Sequence, residues 1–192
     1  MAEAQTQAAG GGGAGEAGGP PALEGEVVTY GDGGRVAQRS NLKAGVLEGL
    51  TTMFDEDGRV AQRVTFKNGL LDGPAVVYSK GGVLASSQYR AGKLEGETVT
   101  YDEGGSAVMR APYVAGKLEG VVELYDREGR VLKRSQYRAG MLEGYTVEYY
   151  PSGKVRTRAQ YKADKLEGES VELSEEGATL KRVAYKAGKP RQ

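Results

Sequence analysis

The sequence contains no cysteine, no histidine and no tryptophan, and only two phenylalanines. Without cysteine there are no disulfides, no thiolate nucleophiles and no thiolate metal sites. A zinc ion would need an all-carboxylate site, and no metal or cofactor is expected. Without histidine the usual acid–base and nucleophile-activating arrangements cannot be assembled. Neither sign of charge predominates, with 26 basic and 26 acidic residues, so bulk nucleic-acid binding is disfavoured. The opening stretch MAEAQTQAAGGGGAGEAGGPPA has neither a basic start nor an apolar run. Neither a signal peptide nor a membrane anchor is expected there, and the chain is expected to be cytoplasmic. Glycine and alanine dominate residues 1–22, which are expected to form a flexible tail ahead of a separate domain over residues 23–192.

What the chain does have is 31 glycines and 12 tyrosines, and they recur in phase. The tripeptide Leu-Glu-Gly, once Leu-Asp-Gly, places glycines at Gly25, Gly49, Gly73, Gly96, Gly120, Gly144 and Gly168. The spacing is 24 residues, except for one step of 23 between Gly73 and Gly96. Five residues after each comes an aromatic, Tyr30, Phe54, Tyr78, Tyr101, Tyr125 or Tyr149, with Leu173 in the last unit. A second bulky column follows at Leu42, Phe66, Tyr89, Tyr113, Tyr137, Tyr161 and Tyr185. Further glycines stand between and after these columns, and Asp164, a residue that tolerates positive φ, replaces one of them.

Stretches such as Gly25-Glu-Val-Val-Thr-Tyr30 are strand-length, rich in β-branched and aromatic residues, and bounded by turn residues. Asp55-Glu-Asp-Gly58 and Pro151-Ser-Gly153 close one end of each unit, and Lys67-Asn-Gly69 and Arg138-Ala-Gly140 the other. The pattern predicts an all-β fold: seven tandem hairpin repeats in an elongated, open, twisted antiparallel sheet, largely a single layer. Nothing supplies the second layer of a sandwich or the filling of a barrel. Cohesion then rests on neighbouring hairpins and cross-strand pairs. Regular strands would put the two aromatic columns on opposite faces, whereas a bulge at the signature glycine would bring them together. The return of a glycine inside every strand favours the bulge.

Blocks such as Tyr89-Arg-Ala-Gly-Lys-Leu-Glu-Gly96-Glu-Thr-Val-Thr-Tyr101 resemble the MORN repeat, and within it the bacterial antitoxin-type (YwqK-like) variant. The likeness covers all of the chain except the tail. The Tyr-x-Gly-x-aromatic strand of standard MORN repeats is missing from the second half of each unit. The resemblance implies a non-enzymatic protein-binding scaffold, whose partner would be a toxin or secreted effector encoded nearby. This chain would be its immunity factor, chaperone or adaptor. The alternative it implies, docking on membrane lipid headgroups, is disfavoured by zero net charge.

No catalytic constellation appears. The serines lack a G-x-S-x-G context, Gly31-Asp-Gly-Gly34 lacks the lysine of a phosphate loop, and Asp102 beside Glu103 falls in a turn. Two rows of charge do recur. Arg39, Arg63, Arg110, Arg134, Arg158 and Arg182 lie fourteen residues after the signature glycines, with Ser87 breaking the row. Glu24, Glu48, Asp72, Glu95, Glu119, Glu143 and Glu167 belong to the signature itself. These rows either face each other as a salt-bridge ladder that keeps the sheet soluble, or form a striped docking surface. A single-layer sheet leaves tyrosine surface exposed, which suits a protein interface. The candidate partner-binding residues are therefore Tyr30, Phe54, Tyr78, Tyr101, Tyr125 and Tyr149, with Arg63, Arg110, Arg134 and Arg158. Exposed terminal strands also suggest an edge-to-edge homodimer.

Overall fold

The computed structural model describes residues 22–191, so the flexible tail expected over 1–22 falls, but for Ala22, outside the described residues. The chain divides into two units, Met1–Lys93 and Leu94–Gln192. Among the described residues both are all-β, the one exception being a short 3-10 turn at Asp32–Gly34. Among the described residues, no helix is long and apolar enough to cross a membrane.

In the first unit six long strands follow in order: Gly25–Tyr30, Val36–Lys43, Gly49–Phe54, Val60–Lys67, Leu70–Ser79 and Gly82–Arg90. The second has eight: Gly96–Tyr101, Ala107–Val114, Gly120–Tyr125, Val131–Arg138, Met141–Tyr149, Val155–Lys162, Lys165–Leu173 and Thr179–Lys186. Within each unit every long strand pairs antiparallel with its chain neighbours, as the hairpin pattern predicts. The first and last strands of a unit do not pair, so each sheet is open.

The turn that closes each repeat has two central residues, and both have positive φ. Ala139 and Gly140 stand at +51° and +89°, and Ala163 and Asp164 at +45° and +64°. This is the hairpin turn whose twist matches that of the strands, and asparagine followed by glycine is its favoured sequence. Here the first position is alanine in every repeat but one, where it is Asn68. Alanine resists this conformation by about 1–2 kcal/mol.

What holds it there is the Leu-Glu-Gly signature at the start of the same repeat. The N–H of Ala139 donates to the Glu119 carboxylate at 2.7 Å, and the N–H of Gly140 donates to the Leu118 carbonyl at 2.9 Å. The carboxylate half of this clamp recurs in every repeat. Ala44, Asn68, Ala91, Ala115, Ala163 and Ala187 donate to Glu24, Glu48, Asp72, Glu95, Glu143 and Glu167. The carbonyl half recurs too, from Leu23 to Gly45 through to Leu166 and Gly188. Asp164 adds a return bond, its Oδ1 accepting the Leu142 N–H at 2.7 Å. The signature acids therefore do not face the arginine row, as a salt-bridge ladder would require. They accept backbone amides, because the turn presents N–H groups that its own hairpin leaves unpaired.

The signature also sets the register. Tyr137 pairs with Leu142 and Ser135 with Thr146, so four residues on one strand span two on the other. The same two-residue excess separates Phe66–Leu71 from Val64–Ala75 and Tyr161–Leu166 from Ala159–Ser170. Gly144, at φ +111°, sits in this bulge, and an added Cβ would lie 3.1 Å from Gln136 Cγ. The expected bulge is present, yet it does not bring the aromatic columns together. An excess of two residues preserves the alternation of side chains, whereas an excess of one would reverse it. Tyr125 and Tyr149 point to one face, Tyr137 and Tyr161 to the other.

The face that carries Tyr137 has a central row of small residues. Thr51, Val64 and Ala75 lie on it in the first unit, and Ala111, Ser135 and Thr146 in the second. Thr51 and Ala111 are only 1% exposed, although the described residues form no second layer over them. Larger side chains two positions away on the same strands, such as Phe66 beside Val64 and Tyr137 beside Ser135, flank the row on that face. Thr146 Oγ1 donates to Ser135 Oγ at 3.3 Å, which satisfies two hydroxyls inside the row.

Two predictions follow from the clamp. Glu143→Ala should lower unfolding stability by about 1 kcal/mol, the usual value of a carboxylate holding a backbone amide. Glu175→Ala, in an exposed loop, should change it by less than about 0.5 kcal/mol. Urea unfolding with an unchanged m-value would show the difference. Ala139→Asn should raise stability by about 0.5–1 kcal/mol, since Asn68 already fills that position with its clamp intact. A lower urea midpoint for Ala139→Asn would contradict this account of the turn.

Candidate interaction surface

The arginine row lies on the opposite face from the buried small residues, in the middle of the sheet. In the first unit cross-strand pairing runs Val28, Arg39, Thr52, Arg63, Val76, Ser86. Ser86, and not Ser87, occupies the arginine position, because this repeat lost one residue from the loop before it. There a two-residue turn, Lys80 and Gly81, replaces the longer loops of the other repeats. In the second unit the row runs Val99, Arg110, Glu123, Arg134, Val147, Arg158, Val171, Arg182. Successive arginines are two strands apart, about 10 Å. Val171, between Arg158 and Arg182, and Val99, beside Arg110, are buried, as expected where long arginine stems lie over apolar neighbours.

The first aromatic column shares this face. Strand alternation places Tyr78, Tyr125 and Tyr149 beside the arginines, and two of three arginine–ring contacts on this face involve this column, the third involving Tyr145. The Arg63 guanidinium stands 5.9 Å from the Tyr78 ring centre, Arg134 stands 5.9 Å from Tyr149, and Arg158 stands 5.5 Å from Tyr145. These are distances at which a cation is attracted to a ring face. Phe54, Tyr78, Tyr101, Tyr125 and Tyr149 are partly buried, while Tyr30 is exposed. Arg63, Arg110, Arg134 and Arg158 are all exposed. The structure thus brings the expected tyrosine and arginine candidates of each unit onto one surface.

The arginines find their acids elsewhere than in the signature. Arg39 pairs with Glu26 at 3.5 Å, Arg110 with Glu97 at 2.7 Å, and Arg182 with Glu169 at 3.4 Å. All three acids directly follow the signature glycine. Arg134 instead meets Glu123 at 2.7 Å. The Tyr125 phenol donates to the same carboxylate. That bond, ahead of the Arg134 guanidinium, holds Glu123 below the ordinary carboxylate range against the effect of burial. Burial first, and the Glu123 carboxylate second, push the Tyr125 phenol up. On the other face Glu148 lies across from Lys133 at 3.1 Å, and the ammonium is the foremost cause of its lowered pKa.

Where the position after the signature glycine is not acidic, it is apolar and open. Leu50 and Tyr145 are each 50% exposed, and Val121 is 42% exposed. These three, with Glu26, Glu97, Glu123 and Glu169, are the residues of the surface that sequence reasoning did not single out. The available signal was the position next to each glycine, which varies between acidic and apolar residues from repeat to repeat while the glycine itself does not change. At the loop end Asp102 Oδ1 accepts the N–H groups of Gly104 and Ser106, both at 2.9 Å, so it builds its own turn.

Residues 47–68 and 142–163 match the family model of the MORN repeat variant. No curated protein matches the chain. Among solved structures, one titled crystal structure of GtfA/B complex is similar at 17% identity and a TM-score of 0.31, over 57% of this chain and 20% of that one. The present chain therefore spans about a fifth of that protein's length. The two matched stretches are in phase, each running from a signature leucine to the first residue of the following turn, one in each unit. These two stretches support a reading of the chain as a MORN repeat protein.

Proposed function

We propose that the chain is a non-enzymatic scaffold that binds another protein on its arginine–tyrosine face. The observation that carries this reading is the exposure of Leu50, Val121 and Tyr145 among arginines already held by rings and carboxylates. Exposed apolar side chains beside pre-positioned arginine and tyrosine have the character of binding hot spots. Residues 23–192 form the binding module in this reading, and residues 1–22 its leader.

The likeness to antitoxin-type repeats suggests the partner, a toxin or secreted effector encoded nearby, for which this chain acts in the cytoplasm as immunity factor, chaperone or adaptor. A lipid-headgroup role is less well supported. A surface that attracts anionic lipid needs clustered, unneutralised basic groups. Here Glu26, Glu97, Glu123 and Glu169 neutralise four of the six arginines.

Co-expression with each neighbouring gene product should give one stoichiometric complex that survives gel filtration. The chain alone should not float with vesicles containing anionic lipid. Flotation with such vesicles, together with failure to bind any neighbour, would overturn the reading.

A further inference from the structure

The six arginines of the row are not equivalent. Four face a carboxylate within 4 Å, whereas among the described residues Arg63 and Arg158 have none at that distance and are held by aromatic rings. The cause is visible in the sequence. Where Arg39, Arg110 and Arg182 find Glu26, Glu97 and Glu169, the repeats of Arg63 and Arg158 carry Leu50 and Tyr145. One substitution both removes the neutralising acid and places an exposed apolar surface beside the guanidinium. At Val121 the neighbouring arginine finds Glu123 instead, so an apolar residue with no acid in reach of the arginine occurs once in each unit.

We infer that Arg63 with Leu50, and Arg158 with Tyr145, are two open receptors for a carboxylate, and that the partner presents at each an Asp or Glu side chain next to an apolar residue. This rests on the protein-binding reading and names the chemistry of its partner. A guanidinium stacked on a ring keeps its fork of N–H groups free at its edge, where a carboxylate is bound by two parallel hydrogen bonds. The stacking limits the rotamer freedom lost on binding. The adjoining Leu50 and Tyr145 surfaces supply the apolar contact, so charge and hydrophobic surface are recognised together. A phosphate-rich membrane is the poorer match, since the open arginine of each unit is set among arginines already paired with acids.

The test uses the full chain, immobilised and panned against a random heptapeptide display library. Enriched peptides should carry Asp or Glu next to Leu, Phe, Tyr or another large apolar residue. A synthetic peptide of the enriched sequence should bind at least about tenfold more weakly once its acid is replaced by the corresponding amide. The double variant R63Q/R158Q, which keeps much of each stem beside Val76 and Val171 but not the charge, should weaken it by a similar factor. Lys181→Ala, a basic residue on the other face, should leave binding unchanged.

An enriched set without acidic residues, no enrichment at all, or equal binding by R63Q/R158Q would overturn the inference. So would flotation with anionic vesicles that is lost in the same double variant, which would assign the two arginines to lipid phosphate. A neighbouring gene product that co-purifies equally well with R63Q/R158Q would leave the scaffold reading standing and remove this one.

Discussion

A two-residue turn with both φ angles positive directs its amides away from its own hairpin, and the rest of this structure depends on where those amides find acceptors. The acceptors come from the start of the same repeat: a leucine carbonyl and a carboxylate, about twenty residues back along the chain. The clamp ties the entry of each repeat to its exit. Within each unit it thereby couples neighbouring hairpins without a shared core. It also explains why alanine is accepted where glycine or asparagine would be the easier choice. The carboxylate holds the amide and leaves no need for a side chain to do so.

The same tripeptide performs a second task through its glycine. The bulge it forms adds two residues to one strand and none to its partner. Because the excess is even, each face keeps its identity from one repeat to the next. One face collects small residues in a buried central row, and the other collects arginines, valines and the first column of tyrosines. The segregation of these two sets, and hence the existence of a distinct arginine–tyrosine face, follows from that parity.

Most of the fold was legible in the sequence because it is periodic. The seven Leu-Glu-Gly signals marked the hairpins, the positions of turns and strands, and the tolerance of Asp164 for positive φ. The function of the acid in the signature was not legible. Glu119 and Arg134 recur with the same period, and equal periods invite pairing, yet a side chain-to-backbone bond leaves no complementary residue to find. The direction of the tyrosine columns was missed for a related reason. Glycine shows that a bulge is wanted but not whether it adds one residue or two. The open arginines were obscured because the row was read as uniform, when the informative residues were its irregular neighbours, Leu50 and Tyr145.

The third repeat shows what this arrangement leaves free. Its Lys80–Gly81 turn is shorter than the corresponding loops elsewhere, yet Val76 remains opposite Arg63 and Ala75 opposite Val64. Register is set at the clamped end of each hairpin, so length can change at the other end without disturbing the alignment of the rows. The loops at that margin are therefore where insertions, tags or altered specificity would be accommodated most readily, while the opposite margin acts as the ruler of the assembly.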